Sequence, residues 1–293
     1  MDFDDLWDYN DPETTEQKFR GLLPSATGDA SYHAQILTQI ARAQGLQKKF
    51  DEAHRTLDQV QRLLADDLKQ AKIRYLLERG RAFNSSKQRE QARPLFLEAW
   101  ELASASGEDF YAIDAAHMMG IVEQPEQALE WNLKALALAE KTPDARAQNW
   151  RGSLYNNIGW TYHDSGQYEK ALDLFEKALR WREAQGRLPE TRIAKWCVAR
   201  ALRSLGRLEE ALAAQQALLA EHENAGGKDG YVYEELGECL LALSRQAEAE
   251  PYFVLAYDEL SKDPWLADNE PARLERLKQL GRKAGMGDRQ RPD

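Results

Sequence analysis

One pair of small residues returns six times along this chain, and that return restricts its fold more than any other feature. The later member of the pair stands at Ala53, Ala92, Ala128, Ala171, Ala211 and Ala249, with spacings of 39, 36, 43, 40 and 38 residues. Twelve residues before each alanine comes the other member: Ala41, Gly80, Ala116, Gly159, Ala199 or Gly237. Seven residues after it comes Val60, Ala99, Ala135, Ala178, Leu218 or Ala256. Small residues on such a schedule mark places where helices approach too closely for long side chains. At 293 residues, the chain is longer than a single compact core needs, and a stack of like units is the expected solution.

Each unit reads as helix, tight turn, helix. The turns are clearest in HDSGQ at 163–167 and RSLGR at 203–207, where glycine can close a helix. Around the first of these, Tyr155, Ile158, Gly159 and Tyr162, then Tyr168, Ala171, Leu172, Phe175, Ala178 and Leu179, keep helical spacing. No run of alternating β-branched residues predicts a strand.

Residues 152–185 carry Tyr155, Ile158, Gly159, Tyr162, Gly166, Tyr168, Ala171, Phe175 and Ala178, a pattern that resembles the tetratricopeptide repeat. The other units fit less closely; the third has Met119, Pro125 and Asn132 where the fourth has aromatic side chains. The spacing exceeds the 34 residues usual for this family. In that respect it looks like the longer repeats of kinesin light chains and of bacterial peptide-sensing regulators. The resemblance implies an all-α, right-handed solenoid superhelix of six helix-turn-helix repeats. They are expected over 34–263, starting near 34, 73, 109, 152, 192 and 230. Residues 1–33 are expected to form an acidic arm and a capping helix opened by Asp11-Pro12-Glu13, and 264–284 a C-terminal capping helix. A disordered tail is expected at 285–293.

Acids outnumber bases by 49 to 39, for a net charge of −10. That balance repels phosphate backbones and argues against nucleic acid as partner. The N-terminus lacks the basic start and apolar stretch of a signal peptide, and no apolar run reaches the length of a membrane helix. A cytoplasmic protein that engages no membrane is the expectation. Cys197 and Cys239 are expected to be small buried hydrophobes. The five histidines fall into no metal-ligand spacing, and no phosphate loop, dinucleotide fingerprint or nucleophile elbow occurs. Neither catalysis nor a metal or other cofactor is therefore expected.

The resemblance also implies that the first helix of each pair lines a concave groove. A row next to the packing stripe runs through Ser153, Asn156, Trp160 and His163, with equivalents in the other units. Those 24 positions hold five arginines and two acids, against about three and four at the chain's composition; four aromatics occur there too, Phe110, Trp160, Trp196 and Tyr231. Planar donors and stacking surfaces suit an acidic or C-terminal peptide segment. The expected peptide-binding residues are Arg42, Arg81, Asn156, Trp160, His163, Trp196, Arg200 and Arg203. His163 and Asp164, adjacent on a helix, diverge by about 100° and make a poor acid–base pair.

Residues 1–16 contain seven acids and no base, interleaved with Phe3, Leu6, Trp7 and Tyr9. Two readings of this arm are open: it occupies an arginine-lined groove of its own or a neighbouring chain, or its apolar residues cap the first repeats. For the whole chain, the leading expectation is a non-enzymatic scaffold that binds a partner's peptide in its groove. The alternatives are a peptide-sensing regulator whose superhelix changes shape on binding, and a homo-oligomer that self-associates as a structural protein.

Overall fold

The computed structural model of the chain describes residues 3–65 and 67–282. The tail expected at 285–293 lies outside the described residues, as do positions 283 and 284 of the C-terminal cap. After a single 3-10 turn at Phe3–Leu6, the helices are α1 (Pro12–Leu22), α2 (Ala30–Leu46), α3 (Phe50–Leu63), α4 (Lys69–Ser85), α5 (Arg89–Ser106), α6 (Asp109–Val122), α7 (Pro125–Lys141) and α8 (Ala145–Gln148). They continue as α9 (Arg151–Asp164), α10 (Tyr168–Ala184), α11 (Leu188–Ser204), α12 (Leu208–Asn224), α13 (Gly230–Ala242), α14 (Gln246–Leu260), α15 (Pro264–Asn269) and α16 (Pro271–Arg282). No strand occurs among the described residues. The chain divides into two units, residues 1–154 and 155–293.

In the first unit α2 packs on α3, α4 on α5 and α6 on α7, and α1 closes the stack against α2. In the second, α11 packs on α12 and α13 on α14, while α16 covers α14. Aspartates start several helices by accepting from the first free backbone N–H groups: Asp11 from Thr14 (3.0 Å), Asp29 from Tyr32 (2.9 Å) and Asp229 from Tyr231 (2.9 Å).

The turn between paired helices is nearly constant. Gly166 and Gly206 take φ of +76°, and Lys48, Lys87 and Ser244 take the same left-handed conformation at +62°, +65° and +61°. Each is followed by a residue whose N–H reaches back over the helix end: Lys49 to Gln44, Gln88 to Phe83, Gln167 to Tyr162, Arg207 to Leu202 and Arg245 to Leu240. That bond satisfies a carbonyl left open by the helix. The pair α6–α7 departs from the scheme, since Glu123 and Gln124 are extended and Pro125 opens the second helix. The residue before a proline avoids the helical region.

The small residues act where the periodicity put them. A Cβ added at Gly159 would lie 2.5 Å from Phe175, and one at Gly237 would lie 2.7 Å from Phe253; Gly80 faces Phe96 in the same way. All three rings are fully buried. In the first pair, where Ala41 replaces the glycine, the residue facing it at the same offset is Leu57. Glycine on one helix thus makes room for a phenylalanine on the next.

Candidate functional site

In the first unit the sampled row sinks partly into the core: Thr38, Leu77 and Ile113 are buried. Beside it runs a largely buried chain of charges. Arg42 on α2 donates to Glu78 on α4 (3.2 Å), Arg81 on α4 donates to the same carboxylate (2.6 Å), and its other nitrogen donates to Asp114 on α6 (2.5 Å). Burial alone would raise the Asp114 pKa; Arg81 and Arg42 outweigh it and hold the carboxyl below its ordinary value. Burial works against the charge on Arg81 too, but Asp114 and Glu78 prevail and keep it protonated. Nearby, burial lowers the pKa of His117 although Asp114 opposes the shift.

The second unit repeats the device. Arg203 on α11 grips Glu235 on α13 with two bonds, 2.8 and 3.0 Å, and Arg200 lies 3.4 Å from the same carboxylate. Burial, reinforced by Glu234 and Glu238, pushes Glu235 up to about 7 against the pull of Arg203. On the last helix Arg273 donates to Glu234 and Glu270, and Arg276 to Glu238.

Arg42, Arg81, Arg200 and Arg203 are expected from the sequence to hold a ligand's acidic or C-terminal carboxylates, and the contacts show what each already engages. Each already holds an acid on the next first helix. The charge tally missed those acids because Glu78, Asp114 and Glu235 sit one residue beyond the row, about 100° round the helix. The signal was present in the sequence at a constant offset: Glu78, Asp114 and Glu235 are the residues after Leu77, Ile113 and Glu234 of the row.

The aromatic members fare differently. Trp160 on α9, Trp196 on α11 and Tyr231 on α13 form a continuous strip, with ring centres 5.9 Å apart for the first pair and 6.3 Å for the second. Trp160 leans on Phe175 beneath it (5.2 Å), and the Trp196 indole N–H donates to the carbonyl of Tyr231 (3.2 Å). The Arg273 guanidinium lies 5.3 Å over Tyr231 and closes the strip. Beside it opens a mainly apolar cavity of about 500 Å³, with Ile193, Trp196, Leu218, Tyr231 and Val232 in its walls. Ile193 is 58% exposed and Tyr231 39%, unusual for side chains of that size on a helix that packs on both sides.

Asn156 and His163 serve the interior of this unit. The Asn156 carbonyl oxygen accepts from the thiol of Cys197 (3.4 Å), a group that burial pushes up to about 12 and so keeps protonated. His163 is buried, 4.9 Å from Trp160 and 5.1 Å from Tyr168 between ring centres. Its Nε2 lies 2.9 Å from Ser204 Oγ, while that hydroxyl donates to the Arg200 carbonyl (3.1 Å). These contacts tie His163 to the packing of α9 on α11. Asp164 stands 3.6 Å from Nδ1, beyond hydrogen-bonding distance, and is solvent-exposed.

Among the described residues no cluster of His, Cys, Asp and Glu could hold a metal ion, and no helix is long and apolar enough to cross a membrane.

Residues 115–184 match the family profile described as Tetratricopeptide repeat. Among curated proteins, the outer dynein arm-docking complex subunit 4 of Xenopus laevis is 24% identical over 253 residues, covering 83% of this chain and 45% of that protein. Among solved structures, a signal transduction ATPase with numerous domains from Pyrococcus horikoshii, which has a tetratricopeptide repeat sensor, gives a TM-score of 0.71 at 16% identity. That match covers 92% of this chain and 42% of the ATPase. The apo form of RapI gives 0.71 at 13% identity, over 87% of this chain and 73% of RapI. The chain thus spans less than half the length of the docking-complex subunit and of the ATPase. At these identities the likeness to solved structures is one of fold.

Proposed function

We infer that this chain, which carries tetratricopeptide repeats, is a non-enzymatic scaffold that binds a peptide segment of a partner protein on the first-helix face of its second unit. The observation that carries this reading is the strip Trp160–Trp196–Tyr231 with the 500 Å³ cavity beside it. Its rings are held in place before any ligand arrives, by the Trp196 bond to the Tyr231 carbonyl and by Phe175 beneath Trp160. Pre-organised aromatic surface costs little entropy to engage. An apolar anchor buried in the cavity would contribute about 1.5–3 kcal/mol.

Arg200 and Arg203 belong to this reading as rim groups. Held on Glu235, they present oriented edges to polar groups of the bound segment rather than a bare cation to its carboxylates.

The test is selection of a displayed peptide library on the whole chain. Clones enriched on wild type should share an apolar anchor and lose at least about tenfold in affinity on a Trp196→Ala variant, roughly 1.4 kcal/mol. Clones that bind Trp196→Ala and Tyr231→Ala proteins as tightly as wild type would remove the strip from the site.

A further inference from the structure

Residues 3–9 make contacts that a cap over the first helices does not require. Phe3, 4% exposed, meets Phe19 edge-on (5.8 Å) and stacks on Tyr32 of α2 (5.6 Å, 10° between planes). Those two contacts alone would close the apolar end of the stack. The arm continues, however, across the first-helix face. Arg74 of α4 places its guanidinium 4.8 Å from the Phe3 ring centre and 5.1 Å from that of Tyr111 on α6. Four residues on, Trp7 donates its indole N–H to Gln39 of α2 (3.0 Å) and stacks on Tyr9 (5.0 Å, 11°). Arg42 lies over both rings at 5.5 and 5.6 Å. A cavity of about 210 Å³ adjoins Trp7 and Tyr9, and Arg81, Arg146, Phe110 and Trp150 stand among its walls.

The chemistry of arm and face is complementary. Residues 1–10 carry four acids and no base, and the face offers arginines on α2 and α4, each stacked against an arm ring. Beyond the buried Phe3, the Trp7–Tyr9 end of the seat is shallow. Trp7 is half-buried, Tyr9 is 58% exposed, and the arm's regular structure is one 3-10 turn. A segment held by the rings of Phe3, Trp7 and Tyr9, by the Trp7–Gln39 bond and by the Thr15 hydroxyl on the Asp8 backbone can be displaced by another that supplies the same rings.

We propose that this face of the first unit is a docking surface for a partner protein's acidic segment carrying two aromatic side chains four residues apart, and that residues 3–9 are its resident occupant. The partner segment binds by displacing the arm. The proposal rests on the first-helix faces being peptide-binding surfaces, and it concerns a different unit from the Trp196 strip.

The probe is a fluorescein-labelled peptide with the sequence of residues 1–10, titrated into the whole chain and followed by anisotropy. A Phe3→Ala/Trp7→Ala chain, its seat vacated, should bind the probe at least tenfold more tightly than wild type. A probe lacking both rings should not bind, and adding Gln39→Ala to the double variant should weaken the gain. Because Phe3 is buried, Trp7→Ala alone serves as a gentler variant, with at least a threefold gain expected and folding checked by circular dichroism. Equal affinity of wild type and both variants, or equal binding of the ringless probe, would overturn the proposal. So would a concentration-dependent dimer in sedimentation that disappears with Phe3→Ala/Trp7→Ala, since the arm would then serve a second copy. If the probe fails while Trp196-dependent peptides still bind, only this proposal falls; if both fail, the peptide-binding reading falls with it.

Discussion

Gly159→Ala tests whether close helix approach underlies the fold, and its magnitude follows from the geometry. The added Cβ would sit 2.5 Å from one carbon of Phe175 and 2.8 Å from another, whereas non-bonded carbons prefer about 3.5–4.0 Å. Phe175 is fully buried and Trp160 leans on it, so the ring must withdraw about 1 Å with little room to do so. Overpacking of this kind costs about 1–3 kcal/mol, and replacing a mid-helix glycine by alanine returns about 0.5–1 kcal/mol. The net loss should lie within about 0–2.5 kcal/mol, centred on about 1, with each kcal/mol worth roughly 2–8 °C in melting temperature for a unit of this size. Phe175→Leu alone should cost about 1–2 kcal/mol through the space it leaves. Together the two substitutions copy the Ala41–Leu57 arrangement of the first pair, so the double variant should lose at least about 1 kcal/mol less than the two single losses combined. Urea unfolding of the four proteins measures this coupling. Additivity within about 0.5 kcal/mol would refute the argument.

Two further outcomes follow from local chemistry. Lys48, Lys87 and Ser244 hold the left-handed turn conformation without being glycine; each should gain about 0.5–1 kcal/mol on substitution by glycine, the strain relieved exceeding the added chain entropy, and an unchanged melting temperature in the triple variant would refute this. Glu235, raised from 4.5 to about 7 chiefly by burial, contributes stability that is full below 4.5 and is lost as pH rises through 7, because the folded state binds the extra proton in that window. The wild-type unfolding midpoint should therefore fall between pH 5 and 7.5 more steeply than that of Glu235→Gln, and parallel profiles would show that burial does not govern this carboxyl.

Much of the fold was legible because steric exclusion leaves a mark in the sequence. A small residue, alanine or glycine, recurs wherever paired helices meet closely, with glycine beneath phenylalanine at Gly80, Gly159 and Gly237, and a turn closed by Gly166 or Gly206 announces itself. The equivalent turns at Lys48, Lys87 and Ser244 do not, since a backbone bond such as Lys49 to Gln44 holds them whatever the side chain. The departure at Glu123 was visible only through Pro125. At the candidate site the tryptophans could be read as neighbours, for a row at helical spacing brings one residue from each first helix into line. The partners of the arginines could not be read from that row alone, since a one-dimensional sample of a helix omits whatever lies 100° away. Nor could the seat of the arm, which depends on Tyr32, Gln39, Arg42 and Arg74 meeting across two helices.

The offset common to Arg42–Glu78, Arg81–Asp114 and Arg200–Glu235 bears on how such a scaffold separates stability from recognition. Each pair joins corresponding positions on successive first helices. A buried ion pair repays little more than the cost of desolvating its members, but it penalises any register in which a charge loses its partner. Apolar stripes with small residues every few turns tolerate sliding; a carboxylate that must meet one guanidinium does not. The ladder therefore penalises misregister between α2 and α4, between α4 and α6, and between α11 and α13. Beside it stand Trp196 and Tyr231 in the second unit and Gln39 in the first. Substituting Tyr231, 39% exposed, should change what is bound at a smaller cost in stability than removing Arg81, which would strand Asp114 in the interior and cost about 3–5 kcal/mol.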